Sequence, residues 1–442
     1  MSVITELASF VTEAMASALP PADRERQRLH FVDTAVAALA GAHIAEGKAL
    51  HRLGDARALA GRIGRQAAVI RLTEIDDIHL PSCTTPSAGI IPVALALASQ
   101  LQKFAPNEIA SAIWVGTEIA TRIGLAVHGP DILYRGIWPT YLAAPVAAAA
   151  TASRLLGLDK ARTGHALSLA FMLMAGGVGR IHGTPSGRWF VYANAVAGGV
   201  AAAEAALADY RGDPELLEKN WLADTHGITL DRDHLTAPVA GKSVYSALSL
   251  KPFCSAKQAI AAIEAFRMLL ASGVRHDAIT AVRVRVPPAY AGMIATRAQP
   301  GARQSTLVSV AHQIALAALA PDRLYDVDRS VTVPGETATA IEEFAAKVEL
   351  GADAALETPY PQHWPAEVEV EAGGETFALR IVEATGDPER PFDRADVDEK
   401  AALVLSPLAG AARTRQWLNM CHAAFDGEAA CRKFVEAFAE AI

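Results

Sequence analysis

The sequence has few aromatic residues and no long uninterrupted apolar run. Aromatic residues make up 6% of the 442 residues, whereas hydrophobic residues make up 51% and charged residues 20%. The apolar content is therefore mostly Ala, Leu, Val and Ile, which is typical of a globular protein built from close-packed helices. Every candidate stretch of about eighteen apolar residues contains a charge or a helix breaker, unlike a membrane-spanning helix. We therefore expect no membrane segment.

Cysteines and basic blocks are also scarce. The four cysteines, Cys83, Cys254, Cys421 and Cys431, are widely spaced and form no C-x-x-C pair. The sequence therefore indicates neither a disulfide framework nor a zinc site, and we interpret Cys254 as structural. The net charge is −8 with no basic block, which argues against a nucleic-acid partner. The N-terminal stretch carries early acids and no basic n-region, so we expect no signal peptide and a cytoplasmic location.

The sequence carries none of the common catalytic signatures. It contains no P-loop, no HExxH and no GxSxG, and its Gly-rich run "GGVGRIHGTPSG" lies between helical segments instead of following a strand. A phosphate or dinucleotide site is therefore not indicated. No pair of histidines has metal-ligand spacing, so we expect no metal site, and we look for function in the loops between buried helices.

The pattern of apolar residues changes along the chain. Helical spacing dominates the first 250 residues, with a first helix predicted to run up to Pro20-Pro21. Period-two alternation begins near residue 279, and "PAEVEVEAGGETFALRIVEAT" predicts a hairpin around Gly373-Gly374. Between them "STLVSVAHQIALAALA" predicts one helix, and helical spacing returns after "GDPERPF". The prediction is a mainly α fold, with a discontinuous all-helical domain (1–251 and 396–442) and a smaller α+β domain (252–395).

One irregular segment concentrates polar chemistry. Residues 73–89, "TEIDDIHLPSCTTPSAG", hold the adjacent carboxylates Asp76 and Asp77, a histidine, a thiol and five hydroxyl residues. The carboxylates could be helix caps or turn residues. They could equally belong to a catalytic pocket, since buried adjacent carboxylates perturb each other's pKa.

This segment resembles the signature of the MmgE/PrpD family. Four further segments resemble family motifs in the same order along the chain, namely "RGIWPTYLAAPVAAAATASRLLGLD", "GTPSGRWFVYANAVAGGVAAAEA", "LSLKPFCSAKQAIAAIEA" and "ATGDPERPFDRADVDEKA". The resemblance implies a large helical domain, a smaller α+β domain and a homodimer. It also implies cofactor-free removal of a proton beside a carboxylate, followed by loss of water, loss of carbon dioxide or reprotonation, as in 2-methylcitrate dehydratase, cis-aconitate decarboxylase and iminodisuccinate epimerase.

The sequence departs from the family pattern at several pocket positions. Thr85 and Trp138 stand where the family carries histidines, and Gly187 stands where it carries a lysine. The family lysine is kept as Lys251, and His312 aligns with a pocket tyrosine. The resemblance implies the catalytic residues Lys251, His312 and Asp77, and the substrate-binding residues Glu74, Asp76, His79, Thr85, Trp138, Arg188 and Lys257.

The structural alternatives for these residues remain open. Lys251 could be a lysine on a helix end whose charge reaches solvent, and His312 a buried structural histidine. Arg188 and Lys257 could clamp a carboxylate or be surface charges. We expect the site at the junction of the two domains. The interpretation is a cofactor-free lyase or isomerase of a small carboxylate other than 2-methylcitrate or cis-aconitate. The alternative is a catalytically inactive paralogue that binds a small molecule or a partner.

Overall fold

The computed structural model describes residues 1–52, 59–174, 187–239, 243–299, 302–328 and 335–442. Contacts between Cα atoms divide the chain into two compact units. The helical unit contains the described residues up to Leu248 together with Asp393–Ile442, and the α+β unit contains the described residues of Ser249–Phe392. The mainly α prediction, with a smaller α+β part, is confirmed.

The first part of the helical unit is a series of helices. They are α1 (Val3–Glu13), α2 (Pro21–His43), α3 (Ala45–His51), α4 (Leu59–Arg71), α5 (Ser87–Leu101), α6 (Pro106–Ala126), α7 (Gly129–Leu133), α8 (Pro139–Leu156), α9 (Lys160–Met172), α10 (Gly187–Leu207), α11 (Trp221–His226) and α12 (Arg232–Thr236). Two short strands, β1 (Ile78–His79) and β2 (Leu248–Ser249), lie in the connecting segments.

Small residues allow the central helices of this unit to pack closely. A side-chain carbon at Gly199 of α10 would overlap the carbonyl oxygen of Pro145 in α8, and one at Gly64 of α4 would overlap the carbonyl oxygen of Ala193 in α10. Glycine is required at such contacts because any larger residue would push the helices apart. The alanine-rich composition thus produces a dense core around α10, which contacts α4, α8 and α9.

Helix α10 is also the helix in the described chain that is long and apolar enough to cross a membrane. Half of its most apolar window is buried inside the protein. The buried positions include Trp189, Tyr192 and Val196. Since α4, α8 and α9 cover it, we interpret α10 as a core helix of a globular unit.

Five α-helices and one four-stranded sheet lie in the described residues of the α+β unit. The helices are α13 (Lys257–Ala271), α14 (Pro288–Ile294), α15 (Arg303–Leu307), α16 (Val310–Leu319) and α17 (Gly335–Ala345). The strands are β3 (Ile279–Val286), β4 (Val348–Ala352), β5 (Ala366–Ala372) and β6 (Glu375–Ile381). The sheet order is β4-β3-β5-β6, with β3 parallel to β4 and antiparallel to β5.

The predicted hairpin is confirmed. Strands β5 and β6 pair in antiparallel register from Ala366–Ile381 to Ala372–Glu375. Gly373 and Gly374 both have positive φ, 60° and 84°, as a two-residue hairpin turn requires. Valines on β3 and β5 point inward at every second position, which explains the alternation in the sequence.

The chain returns to the helical unit as α18 (Arg394–Ala409), α19 (Ala411–Ala423) and α20 (Glu428–Ala441). Two helix predictions need correction. Helix α1 ends at Glu13, and Pro21 begins α2, because proline is well tolerated at the first helical position. The single helix predicted around residues 305–320 is split into α15 and α16, since Ser309 accepts the His312 N–H and caps α16.

Candidate active site

The polar segment singled out in the sequence is buried. Every residue from Arg71 to Gly89 is buried except Pro81, which is partly exposed. Connecting segments normally run over the surface because their backbone polar groups need partners. This one contains two residues in the left-handed backbone region, Glu74 (φ 59°) and Cys83 (φ 54°). A buried and partly strained connection of this kind is typical of a functional site.

The acidic residues of the segment are held by two arginines. Arg71, the last residue of α4, lies 2.9 Å from the Glu74 carboxylate and 3.1 Å from Asp76. Arg188, the second residue of α10, lies 3.2 Å from the other Glu74 oxygen. The nearby carboxylates hold the pKa of the Arg71 guanidinium above its ordinary value, although burial acts to lower it. These four side chains form one ionic cluster with two positive and two negative charges, in which Arg188 is partly exposed and the other three are buried.

Asp77 is held by a different set of donors. Its Oδ2 lies 3.1 Å from His30 Nδ1 and accepts a hydrogen bond from the Ser87 hydroxyl at 2.5 Å. Its Oδ1 accepts the Ser87 backbone N–H at 3.2 Å. Ser87 is the first residue of α5, so Asp77 satisfies one of the free N–H groups at that helix start. The predicted catalytic role of Asp77 stays a prediction, and its contacts give it a positioning role.

A second buried ion pair lies beneath the segment. Lys400 of α18 donates to Asp33 of α2 at 2.6 Å and to the Ile75 carbonyl at 2.9 Å. Both side chains are almost completely buried. Burial raises the pKa of the Asp33 carboxyl, and Lys400 acts against that shift. Through this contact, helix α18 holds the backbone of Ile75, which immediately precedes Asp76.

His79 belongs to a network of hydroxyl groups. Its Nδ1 lies 2.9 Å from the Ser82 hydroxyl and accepts the Ser82 backbone N–H at 3.3 Å. The Ser82 hydroxyl also lies 2.6 Å from that of Thr84. Burial lowers the pKa of His79 to about 3. His79 is therefore neutral near pH 7 and is a weak base, because burial disfavours its protonated form.

This neutral histidine predicts a pH-dependent loss of stability. The unfolded chain protonates His79 below its ordinary pKa of 6.5, whereas the folded protein does so only near 3. Between these values the unfolded state binds more protons, so the free energy of unfolding falls as the pH falls, by up to roughly 1.4 kcal/mol per pH unit. Urea unfolding of wild type and His79→Asn at pH 7, 6, 5 and 4 measures this slope.

The free energy of unfolding of the variant should depend less steeply on pH than that of wild type. Asparagine keeps an acceptor for the Ser82 N–H but does not titrate. Other titrating groups contribute equally to both curves, so the difference isolates His79. Parallel curves for the two proteins would contradict the assignment of a neutral buried His79.

An aromatic wall lies beside the ionic cluster. Trp138, which precedes α8, stacks on Tyr141 with ring centroids 5.6 Å apart, and Tyr141 lies 4.9 Å from Tyr192 of α10. Arg188 lies over the rings of Trp138 at 5.1 Å and of Trp189 at 4.0 Å. The wall and the cluster therefore share Arg188 and form one site in the helical unit.

Thr85 is bound to the start of α8. Its N–H donates to the Thr140 hydroxyl at 3.0 Å, and the two hydroxyl groups lie 3.2 Å apart. A small cavity lined by residues that include Thr85, Thr140 and Tyr192 has room for about one water molecule. The Thr85 hydroxyl, at the position that the resemblance aligns with a histidine, thus fixes the segment to α8.

Lys251 lies in the α+β unit and is 2% exposed. The preceding residue, Leu250, donates its N–H to the Gly386 carbonyl at 2.9 Å, and a side-chain carbon at Gly386 would overlap the Leu250 carbonyl oxygen. Gly386 also has a φ of 90°. The "GDPERP" and "LKPF" segments are therefore adjacent within this unit, and the first holds the backbone of the second.

Lys257 is also buried, and its ammonium group lies 2.5 Å from Asp387. Asp387 in turn accepts the Ala384 N–H at 2.9 Å. This pair gives Lys257 a structural partner, and its substrate-binding role stays a prediction.

His312 is partly buried. Its backbone N–H donates to the Ser309 hydroxyl at the start of α16.

Several residues of the site were not anticipated from the sequence. They are His30, Asp33, Arg71, Tyr141, Trp189, Tyr192 and Lys400. A signal was present for some of them, since His30 and Asp33 are polar residues at i, i+3 where the apolar half of α2 begins. Trp189 and Tyr192 repeat the i, i+3 spacing of Trp138 and Tyr141 at another helix start. The family-like "GTPS" segment (183–186) lies outside the described residues.

Comparison with known proteins identifies the family. The sequence profile of the MmgE/PrpD N-terminal domain matches residues 65–226, and that of the MmgE/PrpD C-terminal domain matches residues 253–423. The chain is also 29% identical over 198 residues to the cis-aconitate decarboxylase-like protein oryM of Aspergillus oryzae. That alignment covers 40% of this chain and 41% of the relative. Since the two profiles cover well over half of its length, this chain belongs to the MmgE/PrpD family.

Proposed function

We propose that this protein is a cofactor-independent lyase or isomerase that removes a proton beside the carboxylate of a small organic acid. The family includes dehydratases and decarboxylases, which supports an enzyme of the lyase type. The observation that carries the proposal is the largely buried ionic cluster of Arg71, Glu74, Asp76 and Arg188. Burying ions costs several kcal/mol each, so such a cluster is poor evidence for stability and better evidence for function.

The proposed chemistry needs a cation and a base. A cation stabilises the enolate-like charge that develops when the proton leaves, and we assign this role to Lys251. The base must accept a proton near pH 7. His79 is too weak a base, because its pKa is about 3, and the Asp77 oxygens already accept hydrogen bonds from His30 and Ser87. We therefore assign the base to His312.

A second candidate function is supported by the replaced residues. Thr85 and Trp138 have no acid–base capacity near neutral pH, and Gly187 has no side chain. A chain that retained the family fold without these groups would bind a small molecule without converting it. Turnover of any small acid by the purified protein separates this possibility from the first.

The same replacements predict little activity on the acids that the best-known family members convert. Holding several carboxylates requires charge-assisted hydrogen bonds worth about 1.5–3 kcal/mol each. General acid–base help is worth typically 10²–10⁴-fold. We therefore expect turnover of 2-methylcitrate and cis-aconitate near background. Chromatography of overnight reactions with purified protein checks this expectation.

The control for that assay is an authentic cis-aconitate decarboxylase in the same buffer, which shows that product would have been detected. A panel of monocarboxylates and smaller dicarboxylates is run in parallel. Turnover of cis-aconitate or 2-methylcitrate at a rate usual for an enzyme on its own substrate would contradict our interpretation of Thr85, Trp138 and Gly187.

The family also leads us to propose that the protein is a homodimer. Sedimentation velocity of the purified protein measures its oligomeric state.

A further inference from the structure

Two buried hydrogen-bond donors in the aromatic wall have no acceptor in the described part of the chain. They are the Trp138 indole Nε1–H and the Tyr141 hydroxyl. Trp138 is 6% exposed and Tyr141 is completely buried. Nearly all buried polar groups in native proteins are paired, and each exception needs an explanation. A bound ligand is one explanation, since it would supply the missing acceptors.

The positions of the two donors place them in one site. Trp138 precedes the first turn of α8 and Tyr141 lies three residues later, so both occupy one face of that helix start. Their rings stack with an interplanar angle of 25°. Arg188 covers the Trp138 ring, and Tyr141 lies in the electric field of Arg188 and Arg71. Burial nevertheless raises the pKa of the Tyr141 hydroxyl to about 12, so it stays protonated and can donate.

The charges around the donors are already balanced. Arg71 is paired with Glu74 and Asp76, and Arg188 is paired with Glu74. The formal charges of these four side chains therefore sum to zero. The two donors of the wall itself are neutral, and beside them the Nε–H group of Arg71 also has no acceptor among the described residues. An extra carboxylate placed here would be desolvated beside Glu74 and Asp76, whereas a neutral carbonyl oxygen would accept both hydrogen bonds without that penalty.

We propose that Trp138 and Tyr141 bind a neutral carbonyl oxygen of the ligand and thereby select half-amides or half-esters of small dicarboxylic acids over the free diacids. This inference rests on the proposed function for the substrate class, because the remaining carboxylate is the group beside which the proton is removed. Trp138 is then a specificity-determining residue at the position where the family carries a histidine.

Calorimetric titration of the purified full-length protein tests this preference without requiring turnover. The probes are matched pairs that differ only in one group: malonate and malonamate, succinate and succinamate, glutarate and glutaramate. For at least one pair the half-amide should bind roughly tenfold more tightly than the diacid. Tyr141→Phe and Trp138→Phe should each weaken half-amide binding by about three- to tenfold and leave diacid binding unchanged.

A matched control separates this role from a purely structural one. The hydroxyl of Tyr245, in the same unit, lies 3.1 Å from Gln27 and 3.4 Å from Thr117. Tyr245→Phe should therefore lower the melting temperature and keep the half-amide preference. Tyr141→Phe should keep or raise the melting temperature, because it removes a buried hydroxyl that has no partner among the described residues, and should reduce the preference by about three- to tenfold.

Three results would overturn the proposal. They are equal or tighter binding of the diacids, a preference that Tyr141→Phe leaves undiminished, and no binding of any probe at millimolar concentration. Failure of the proposed function has a different signature, since a protein without turnover could still show the half-amide preference. The binding assay and the catalytic assay therefore fail independently.

Discussion

Replacing Lys251 with alanine should reduce turnover of the native substrate by at least about a thousandfold. The expected loss is large because removing one group that stabilises a developing anion costs about 10²–10³ in rate, and loss of substrate positioning adds to it. Lys251 is almost completely buried, and the Gly386 segment fixes the backbone before it. The measurement is kcat/KM of the variant on the best substrate found in the carboxylate panel.

Three controls accompany this variant. Lys251→Met keeps the aliphatic stem without the charge and should be as inactive as the alanine variant. Lys219→Ala removes an exposed lysine paired with Asp213 at the surface and should leave activity unchanged. Thermal unfolding of each protein shows whether the fold is intact. Activity within tenfold of wild type in a folded Lys251→Met protein would remove Lys251 from the mechanism.

Replacing Lys400 with methionine should destabilise the protein by about 3–5 kcal/mol. Removing one partner of a buried ion pair leaves the other charge without compensation, and here the Asp33 carboxylate and the Ile75 carbonyl both lose their donor. The raised pKa of Asp33 sets the pH dependence. Lys400 opposes the burial that raises the pKa of Asp33, so this pKa should rise further in the variant. The folded variant must then ionise Asp33 at a higher pH than wild type, and the deficit should grow as the pH rises.

Urea unfolding at pH 5 and pH 8 measures both effects. The matched control is the double variant Lys400→Met/Asp33→Leu, which replaces the ion pair with apolar groups and should recover most of the lost stability. A deficit of under 1 kcal/mol in the single variant would contradict a buried pair at this position. Equal stability of the single and double variants would show that Asp33 is not the partner of Lys400.

Most of the fold could be predicted from the sequence, because helices and hairpins depend on patterns among residues that are close in sequence. The period of 3.6 residues predicted the helices, and the alternation around Gly373-Gly374 predicted a hairpin that the positive φ angles of both glycines confirm. The errors were also local. Pro21 was interpreted as a stop although it begins α2, and Ser309 divides a segment whose apolar pattern looks continuous.

Less of the site could be predicted, because the residues that interact in it are far apart in sequence. Residues 73–89 were identified as polar, but nothing in the segment indicates that Asp77 binds His30 or that Arg188 binds Glu74 across 114 positions. Lys400 and Asp33 are 367 positions apart. Such pairs depend on helix packing, which periodicity does not encode. The family resemblance supplied the segments, and only the structure supplied the contacts within them.

The most direct test of the central claim is proton exchange in heavy water. Purified protein is incubated in D₂O with each acid of the panel, and mass spectrometry measures deuterium at the carbon beside the carboxylate. Proton abstraction predicts enzyme-dependent deuterium uptake into at least one acid or its product, persisting in the presence of a metal chelator and absent with Lys251→Met. Absence of uptake across the panel, by a folded protein that binds these acids, would contradict the account and establish a binding protein instead.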